Sequence, residues 1–228
     1  MDNAIDVREL DFSFGEGELQ NHVLKKVELQ IGRGEIIILT GPSGSGKTTL
    51  LTLIGALRRA KEGSIRVFGQ ELVGASENDF NRTRLSLGFI FQHHNLLNGL
   101  TALQNVCLSL ELRSEYDEYQ RQEKAKAMLE SVGLGDKFFS RPAQLSGGQK
   151  QRVSIARALV SLPKLVLADE PTASLDKVSG QETVNILQRL ARDQGTTILL
   201  VTHDYRILDM ADRVIELDDG RISTVSGS

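Results

Sequence analysis

Short apolar runs, separated by glycine-rich or polar segments, divide the chain into candidate strands. Residues 36–39 are apolar without interruption and rich in β-branched side chains, which is typical of a strand covered on both faces. Residues 7–14 and 23–31 alternate apolar and polar positions, as half-buried strands do. Further strands are predicted over residues 64–68, 87–91, 165–168 and 197–201.

Helical spacing dominates a central block from about residue 93 to residue 162. Ala125, Met128, Leu129 and Val132 fall at i, i+3, i+4 and i+7, and Gly133 follows as a predicted stop. Other predicted elements are helices over residues 48–57 and 180–191, and a hairpin over 214–222. Strands and helices that alternate around a helical block predict an α/β core with an inserted helical lobe.

Composition narrows the possible functions only slightly. The chain is 40% hydrophobic and 25% charged, as ordinary globular proteins are. A net charge of −3 gives no basic excess, so no nucleic-acid partner is expected. Cys107 is the one cysteine, which excludes an intramolecular disulfide. The longest apolar runs have a few residues, whereas a membrane-spanning helix needs about 20, so any membrane role would require a partner.

Residues 41–49, GPSGSGKTT, fit the pattern G-x-x-x-x-G-K-[ST] between a predicted buried strand and a predicted helix. Glycines let the backbone curl so that its N–H groups point at phosphate oxygens, and the helix N-terminus adds positive charge. A chance match in a glycine-rich turn is the alternative, and the strand–helix context disfavours it. The predicted phosphate-binding residues are Gly41, Ser43, Gly44, Ser45, Gly46, Lys47, Thr48 and Thr49.

Two carboxylates follow the apolar run 165–168. Asp169 and Glu170 are predicted at the carboxyl end of a strand, which is where ligands bind in a parallel α/β sheet. Asp169 would hold Mg²⁺, and Glu170 could polarise an attacking water. A strand that ends in an acidic turn is common, and the phosphate-binding loop upstream is what favours the functional interpretation.

A second glycine motif, LSGGQ, occupies residues 145–149 ahead of a predicted helix. Ser146 and the amides of Gly147 and Gly148 would cap that helix and form a second anion site. The alternative is an ordinary helix cap without a ligand.

With these motifs the chain resembles the ABC ATPase family over nearly its whole length. LSGGQ matches the family's signature motif, GPSGSGKTT its Walker A motif and LVLADE its Walker B motif. Residues 173–176 resemble the D-loop, which ends at Asp176. Gln92 matches the Q-loop glutamine, and His203 the switch histidine. Phe14 stands where the family places an aromatic residue, more commonly tyrosine, on adenine.

The resemblance implies a P-loop NTPase (RecA-like) core with an antiparallel β subdomain and an inserted α-helical subdomain. Residues 1–228 would form a single domain, with core and β lobe at about 1–92 and 160–228 and the helical lobe at about 93–159.

The resemblance also assigns the chemistry, with ATP and Mg²⁺ as ligands. Lys47, Gln92, Glu170 and His203 are the implied catalytic residues, and Thr48, Gln92 and Asp169 the implied metal-binding residues. A lone histidine at a strand end is more often a core or surface residue, so the role of His203 rests on the resemblance. His93 and His94 are interpreted as surface or partner-contact residues.

The family arrangement implies that ATP is sandwiched between two copies of the chain. The phosphate-binding loop of one copy would then face the signature residues of the other. The residues expected to reach across this interface are Ser146, Gly147, Gly148, Gln149 and Asp176.

The expected role is to energise a membrane-embedded permease from the cytoplasmic face of the inner (plasma) membrane, with or without a periplasmic adaptor protein. Residues 88–97 and 100–106 resemble the group of lipoprotein-release, macrolide-efflux and DevA-type export ATPases, with DevA-type nearest. Export of a lipid, glycolipid, lipoprotein or hydrophobic compound is therefore expected. A cell-division or importer ATPase, and a soluble ABC ATPase without a transport role, remain alternatives.

Overall fold

The computed structural model describes residues 3–15, 17–111 and 113–227, which form two sheets and six α-helices. The strands are β1 (Asn3–Phe14), β2 (Asn21–Gly32), β3 (Ile36–Thr40), β4 (Ser64–Val67), β5 (Gln70–Glu71), β6 (Leu87–Ile90), β7 (Leu165–Asp169), β8 (Thr197–Val201), β9 (Arg213–Asp218) and β10 (Arg221–Gly227). The helices are α1 (Lys47–Ile54), α2 (Glu77–Leu85), α3 (Ala102–Glu111), α4 (Glu118–Ser131), α5 (Gly147–Leu159) and α6 (Lys177–Gln194). The predicted α/β architecture is confirmed.

The larger sheet has the strand order β10-β9-β3-β8-β7-β6. Its five strands from β9 to β6 are parallel, and β10 returns antiparallel to β9 through the predicted hairpin. Because the central strands run in parallel, the segments that follow β3, β7 and β8 leave the sheet at the same edge. That edge is where the phosphate-binding loop, the two carboxylates and His203 were predicted.

Both faces of this sheet are buried, as the uninterrupted apolar strands indicated. Ile36 and Ile38 of β3 belong to a core shared with helices α3 to α6, while Ile37 and Leu39 face a second core shared with α1. The side chains of β7 and β8 alternate in the same way. The period of two along each strand therefore places a helical layer on one face and α1 with the smaller sheet on the other.

The smaller sheet is antiparallel, with the order β2-β1-β4-β5. Its apolar side chains pack in the same core as α1 and the odd-numbered positions of β3 and β7. The end of β1 at Phe14 is thereby held near the phosphate-binding loop, and both contribute to one cavity.

Helices α3, α4 and α5 lie between β6 and β7, where the helical block was predicted. The prediction of continuous helical character was wrong over 93–101, which is a loop with turns, and over 132–141, which separates α4 from a short 3₁₀ turn at Pro142–Gln144. Gly133 has a φ of 76° and follows Val132, the C-cap of α4, so the predicted stop is confirmed. Helix α1 ends at Ile54 rather than at residue 57, before Gly55.

Helix α2 was not predicted from the sequence. Only Phe80 and Thr83 are buried in it, so it presents no apolar stripe to recognise. Its N-terminus is instead fixed by a capping box, in which the Ser76 side chain accepts from the Asp79 amide and the Asp79 side chain accepts from the Ser76 amide. None of the helices in the described ranges is long and apolar enough to cross a membrane.

Candidate functional site

The phosphate-binding loop connects β3 to α1, and its glycines are required by its shape. Gly41 has a φ of 136°, and a Cβ there would lie 1.9 Å from the carbonyl oxygen of Leu217. Gly46, with a φ of 103°, is the N-cap of α1, and its Cβ would lie 2.8 Å from Cδ2 of Leu24. No other residue type fits these two positions without displacing its neighbours.

Lys47 begins α1 and turns its side chain back into the loop. Its ammonium donates hydrogen bonds to the carbonyl oxygens of Gly41 (2.8 Å) and Pro42 (2.7 Å). Burial lowers the pKa of Lys47, and the nearby Glu170 and Asp169 act in the opposite direction. The positive charge is therefore held inside the loop, beside the N-terminus of α1, where an anion is favoured.

Asp169, the last residue of β7, lies against the start of α1. The Thr48 hydroxyl donates to Oδ1 of Asp169 over 3.2 Å. Burial raises the pKa of Asp169, although the hydrogen bond from Thr48 and the charge of Lys47 counteract it. Together with Gln92, which lines the same cavity, these groups supply the hydroxyl and carbonyl-type oxygens that a hard cation such as Mg²⁺ prefers.

The donors around Asp169 suit Mg²⁺ better than a cation caged by protein ligands alone. No group of three or more His, Cys, Asp or Glu side chains that could hold a metal ion is found in the part of the chain that the structure describes. Mg²⁺ is commonly bound by one or two protein groups together with substrate phosphates and water. The residues present therefore fit a Mg²⁺–nucleotide complex.

Glu170 follows Asp169 with a φ of 48°, a left-handed conformation that is uncommon for a residue with a side chain. Its amide donates to the carbonyl oxygen of Val201 (2.9 Å), which ties this turn to the end of β8. The conformation brings the carboxylate beside His203. Oε2 accepts from the His203 amide (3.3 Å), and Oε1 lies 3.4 Å from Nε2 of His203.

Oε1 of Glu170 is buried without a hydrogen-bond partner. Burial raises the pKa of this carboxyl group, while the His203 amide and ring lower it. An acceptor oxygen that is desolvated and makes no hydrogen bond can receive a proton or hydrogen bond from a small molecule in the adjoining cavity.

These groups line one cavity of about 830 Å³. The predicted site residues that it brings together are Phe14, Ser43, Gly44, Gly46, Lys47, Thr48, Thr49, Gln92, Asp169, Glu170 and His203. Gly41 and Ser45 belong to the same loop but do not line the cavity. The residues that lie outside it are Ser146, Gly147, Gly148, Gln149 and Asp176.

Phe14 lies at the cavity wall with 37% of its surface exposed. Phe12 packs edge-on against its ring at 5.0 Å between centroids, and the Arg58 guanidinium is 5.0 Å from the ring centroid. An exposed ring fixed in this way can stack on a planar base. Sequence reasoning missed Arg58, because nothing in the residues around it marks a contact with Phe14.

Sequence reasoning also missed cavity-lining residues in the loops after β7 and β8, such as Thr172 and Arg206. Arg206 pairs with Asp204 over 2.6 Å, and both line the cavity. The proximity of Asp204 to His203 in sequence was a usable signal, whereas no pattern pointed to Thr172 or Arg206.

The signature residues form a separate, self-contained cap at the start of α5. The Ser146 hydroxyl accepts from the Gln149 amide (3.2 Å), and the Gln149 side chain accepts from the Ser146 amide (2.9 Å). Asp176 caps α6 in a similar way, accepting from the amides of Val178 and Ser179 at 3.0 Å each. A Cβ on Gly148 would lie 3.2 Å from Cβ of Ser179, so the two helix starts are neighbours.

His93 and His94 were interpreted together as surface or partner-contact residues, and the structure separates them. His93 is exposed. His94 is half-buried, and its ring Nδ1 shares a hydrogen bond with Oε1 of Gln151. His94 is therefore only partly at the surface, and its contact with Gln151, 57 positions away in sequence, was not predicted. Contact of either histidine with a partner stays a prediction.

Comparison with known proteins agrees with this geometry. The family model described as "ABC transporter" matches residues 24–173. A macrolide export ATP-binding/permease protein, MacB, of Aggregatibacter actinomycetemcomitans is 47% identical over 96% of this chain and 34% of its own length. The lipoprotein-releasing system ATP-binding protein LolD 2 of Rhodospirillum rubrum is 44% identical over 96% of this chain and 95% of its own. The chain thus spans about a third of the MacB relative.

The solved structures that this chain resembles are also ATP-binding cassettes. The ATP-binding cassette MJ0796, described as a dimer in a post-hydrolysis state bound to ADP and Pi, has a TM-score of 0.89 at 36% identity and covers 98% of both chains. Another dimeric structure of MJ0796 has a TM-score of 0.90. The expected P-loop fold and the expected relation to macrolide-efflux and lipoprotein-release proteins are confirmed, while the closer relation to DevA-type proteins stays a prediction. The chain belongs to the ABC transporter family and is one of its ATP-binding, ATP-hydrolysing domains.

Proposed function

We propose that this chain binds Mg²⁺–ATP in the cavity around Lys47, hydrolyses it as a dimer, and thereby drives a membrane permease that exports a lipoprotein or another hydrophobic compound. One observation carries the proposal. The cavity gathers every predicted metal- and water-directing side chain, together with all predicted phosphate-loop residues except Gly41 and Ser45, yet Ser146 and its glycines lie outside it. A site divided in this way is completed by a second copy.

Binding rests on the loop amides and on Lys47, whose ammonium can exchange its contacts with the carbonyls of Gly41 and Pro42 for β- and γ-phosphate oxygens. Phe14 would stack on the adenine ring. Thr48, Asp169 and Gln92 would hold Mg²⁺, which neutralises phosphate charge when bound.

Glu170 would orient the attacking water and accept its proton at Oε1, the oxygen that has no hydrogen-bond partner. His203, 3.4 Å from that oxygen, would position the carboxylate and contact the γ-phosphate.

Ser146, Gly147, Gly148, Gln149 and Asp176 would face the nucleotide held by the partner copy. The N-terminus of α5 offers amides and a positive helix end, both suited to a phosphate. The dimeric state of the related MJ0796 cassette supports this arrangement. ATP would act as a bridge between copies, and loss of the γ-phosphate would weaken it.

In this proposal the helical lobe spans about residues 93–159, the core and β lobe span the rest of 1–228, and the chain is peripheral at the cytoplasmic membrane face. A groove of about 380 Å³ lies between β6 and helices α3 and α5, with apolar walls at Leu85, Phe89, Phe91 and Leu108. A helix of the permease fits such a groove. The names of the relatives, macrolide export and lipoprotein release, support export as the direction.

The substitution Glu170→Gln tests the hydrolysis and dimer proposals together. We expect unchanged ATP affinity, turnover reduced about 10²–10⁴-fold, and a dimer that accumulates with ATP but not with ADP. Phosphate release and size-exclusion chromatography measure these. Glu123→Gln, which removes an exposed carboxylate paired with Lys126 at the surface of α4, is the matched control. Turnover at the wild-type rate in Glu170→Gln would remove the general-base assignment.

The permease proposal needs a separate experiment. A photo-crosslinker at Leu108, inside the groove, should give an adduct with a multi-spanning membrane protein in native membranes. The same probe at Tyr119, an exposed position on α4 that does not line the groove, is the control. Equal crosslinking from both positions, or none from Leu108, would contradict docking in the groove.

A further inference from the structure

The turn that follows β6 carries Gln92 and is held in an unfavourable conformation. Gln92 and His93 are the central residues of a turn, which is closed by a hydrogen bond from the His94 amide to the Phe91 carbonyl (3.0 Å). His94 and Asn95 then have φ values of 62° and 47°. Two successive residues with side chains in the left-handed region cost on the order of 1 kcal/mol each or more, so surrounding contacts must hold them there.

Those contacts come from one face of α5, the helix that begins at the signature motif. Oε1 of Gln151 shares a hydrogen bond with Nδ1 of the His94 ring, and the Ser154 hydroxyl donates a hydrogen bond to the His94 carbonyl (3.4 Å). Arg157 donates to the carbonyls of His94 and Asn95, each at 2.7 Å. The three side chains are spaced three residues apart along α5, so they lie along a single face of the helix.

This set of contacts is buried and therefore stiff. Gln151 and Ser154 have no exposed surface, and burial lowers the pKa of Arg157. Nε2 of Gln151 is buried without a partner, so the contact between Gln151 and His94 is maintained at a cost in desolvation. A guanidinium that binds two successive carbonyls fixes both position and orientation, which a single-point contact does not.

A second helix of the same lobe holds the next part of the loop. Asn105, fully buried in α3, accepts from the Leu97 amide (2.8 Å) and donates to the carbonyls of Leu97, Leu100 and Thr101. The segment after Gln92 is thus attached to the helical lobe at two points. This segment cannot shift unless α5 and α3 move with it or these hydrogen bonds break.

We propose that Gln151 and Arg157 are positioning residues that couple Gln92, in the nucleotide cavity of one copy, to Ser146, which serves the cavity of the other copy. The inference rests on the proposed dimeric function. Gln151 lies five positions after Ser146, about one and a half helical turns, so a displacement of the turn at 92–95 passes directly to the signature end of α5. Gln151 and Arg157 do not line the nucleotide cavity, so we expect them to act on turnover and not on nucleotide binding.

The test compares two variants, Arg157→Lys and Gln151→Leu, with the wild type. Arg157→Lys keeps the positive charge but cannot donate to the carbonyls of His94 and Asn95 through a planar guanidinium. We expect kcat for ATP hydrolysis to fall about tenfold and the affinity of the single chain for ATP to change less than twofold. Arg121→Lys is the matched control, since Arg121 also donates to a helical-lobe carbonyl, that of Tyr116 (2.9 Å), but far from the turn. Gln151→Glu, which keeps an acceptor for His94, should restore most of the activity.

A double-mutant cycle separates coupling from loss of stability. His94→Phe and Gln151→Leu remove the same contact, so the double variant should be no slower than Gln151→Leu alone. The proposal would be overturned if the losses in kcat from His94→Phe and Gln151→Leu multiplied in the double variant. It would also be overturned if Arg121→Lys lowered kcat as much as Arg157→Lys does. A change in KM alone, or an unchanged kcat, in Arg157→Lys and Gln151→Leu would have the same consequence. If Arg157→Lys does not fold, the His94–Gln151 cycle decides. The dimer formed by Glu170→Gln with ATP tests the proposed function independently of these variants.

Discussion

The two glycine-rich motifs lie in regions of opposite character. Around Lys47 and Glu170 polar groups are buried with too few partners, and burial lowers the pKa of Lys47 and raises that of Glu170. Around Ser146 and Asp176 the side-chain acceptors are paired within their own helix starts. A hydrogen bond with the Ser179 side chain, followed by those from the Ser179 and Val178 amides, lowers the pKa of Asp176.

This difference supports the proposal that one motif alone does not make an active site. In our proposal the cavity region is preorganised for a charged ligand, because its groups would gain partners when phosphate and a metal ion bind. The side-chain acceptors of the signature region are already paired, and this region would contribute only when another surface brings a phosphate to the α5 N-terminus. In our proposal the fold therefore separates nucleotide binding from completion of the site.

Of two further substitutions that test this comparison, the one with the larger expected effect distinguishes helix capping from catalysis. Ser146 and Ser76 cap α5 and α2 with the same capping box, but only Ser146 is assigned to ATP. Replacement of either serine by alanine should lower the free energy of unfolding by about 1 kcal/mol. Only Ser146→Ala should reduce ATP hydrolysis, by about tenfold or more. Chemical denaturation and a phosphate-release assay measure the two quantities. If Ser76→Ala were equally slow, Ser146 would be only a structural cap.

A smaller effect is expected at the adenine end of the cavity. Phe14→Ala should weaken ATP binding about fivefold, which corresponds to the lower end of base-stacking energies, about 1 kcal/mol. Phe14→Tyr should preserve it, because an aromatic ring remains. Titration of the single chain with a fluorescent ATP analogue gives both affinities. Equal affinity for the alanine and tyrosine variants would show that the ring does not stack on the base.

Much of this fold was predictable, because burial on both faces leaves uninterrupted apolar strands such as β3 and β7. The cavity was predictable from motif context, since the segments after parallel strands meet at one edge. Helix α2 was not predictable from apolar spacing, because its start depends on Ser76 and Asp79 and it buries mainly Phe80. The contact between His94 and Gln151 was equally hidden, because it joins residues 57 positions apart and leaves no local pattern.

The left-handed conformation of Glu170 could not be predicted either. The residues before Glu170 form an apolar strand that ends in an acidic turn, and no local sequence pattern indicates a φ of 48° at this position. The conformation accompanies the hydrogen bond that the Glu170 amide donates to the Val201 carbonyl and the hydrogen bond that the Glu170 carboxylate accepts from the His203 amide. Val201 ends the neighbouring strand β8, and His203 follows it. Where a catalytic geometry depends on such strand-to-strand contacts, the sequence supplies the residue type but not its orientation.

The central claim is that each ATP site combines Lys47 of one copy with Ser146 of the other. A mixed dimer tests it, with Lys47→Ala in one tagged chain and Ser146→Ala in the second. Trans pairing leaves one site intact, so the mixed dimer should hydrolyse ATP at about half the wild-type rate, although both parent homodimers are inactive or slow. With both substitutions in one chain and a wild-type partner, no site is intact and activity should be low. The reverse outcome, an inactive first dimer and a half-active second, would contradict the divided site.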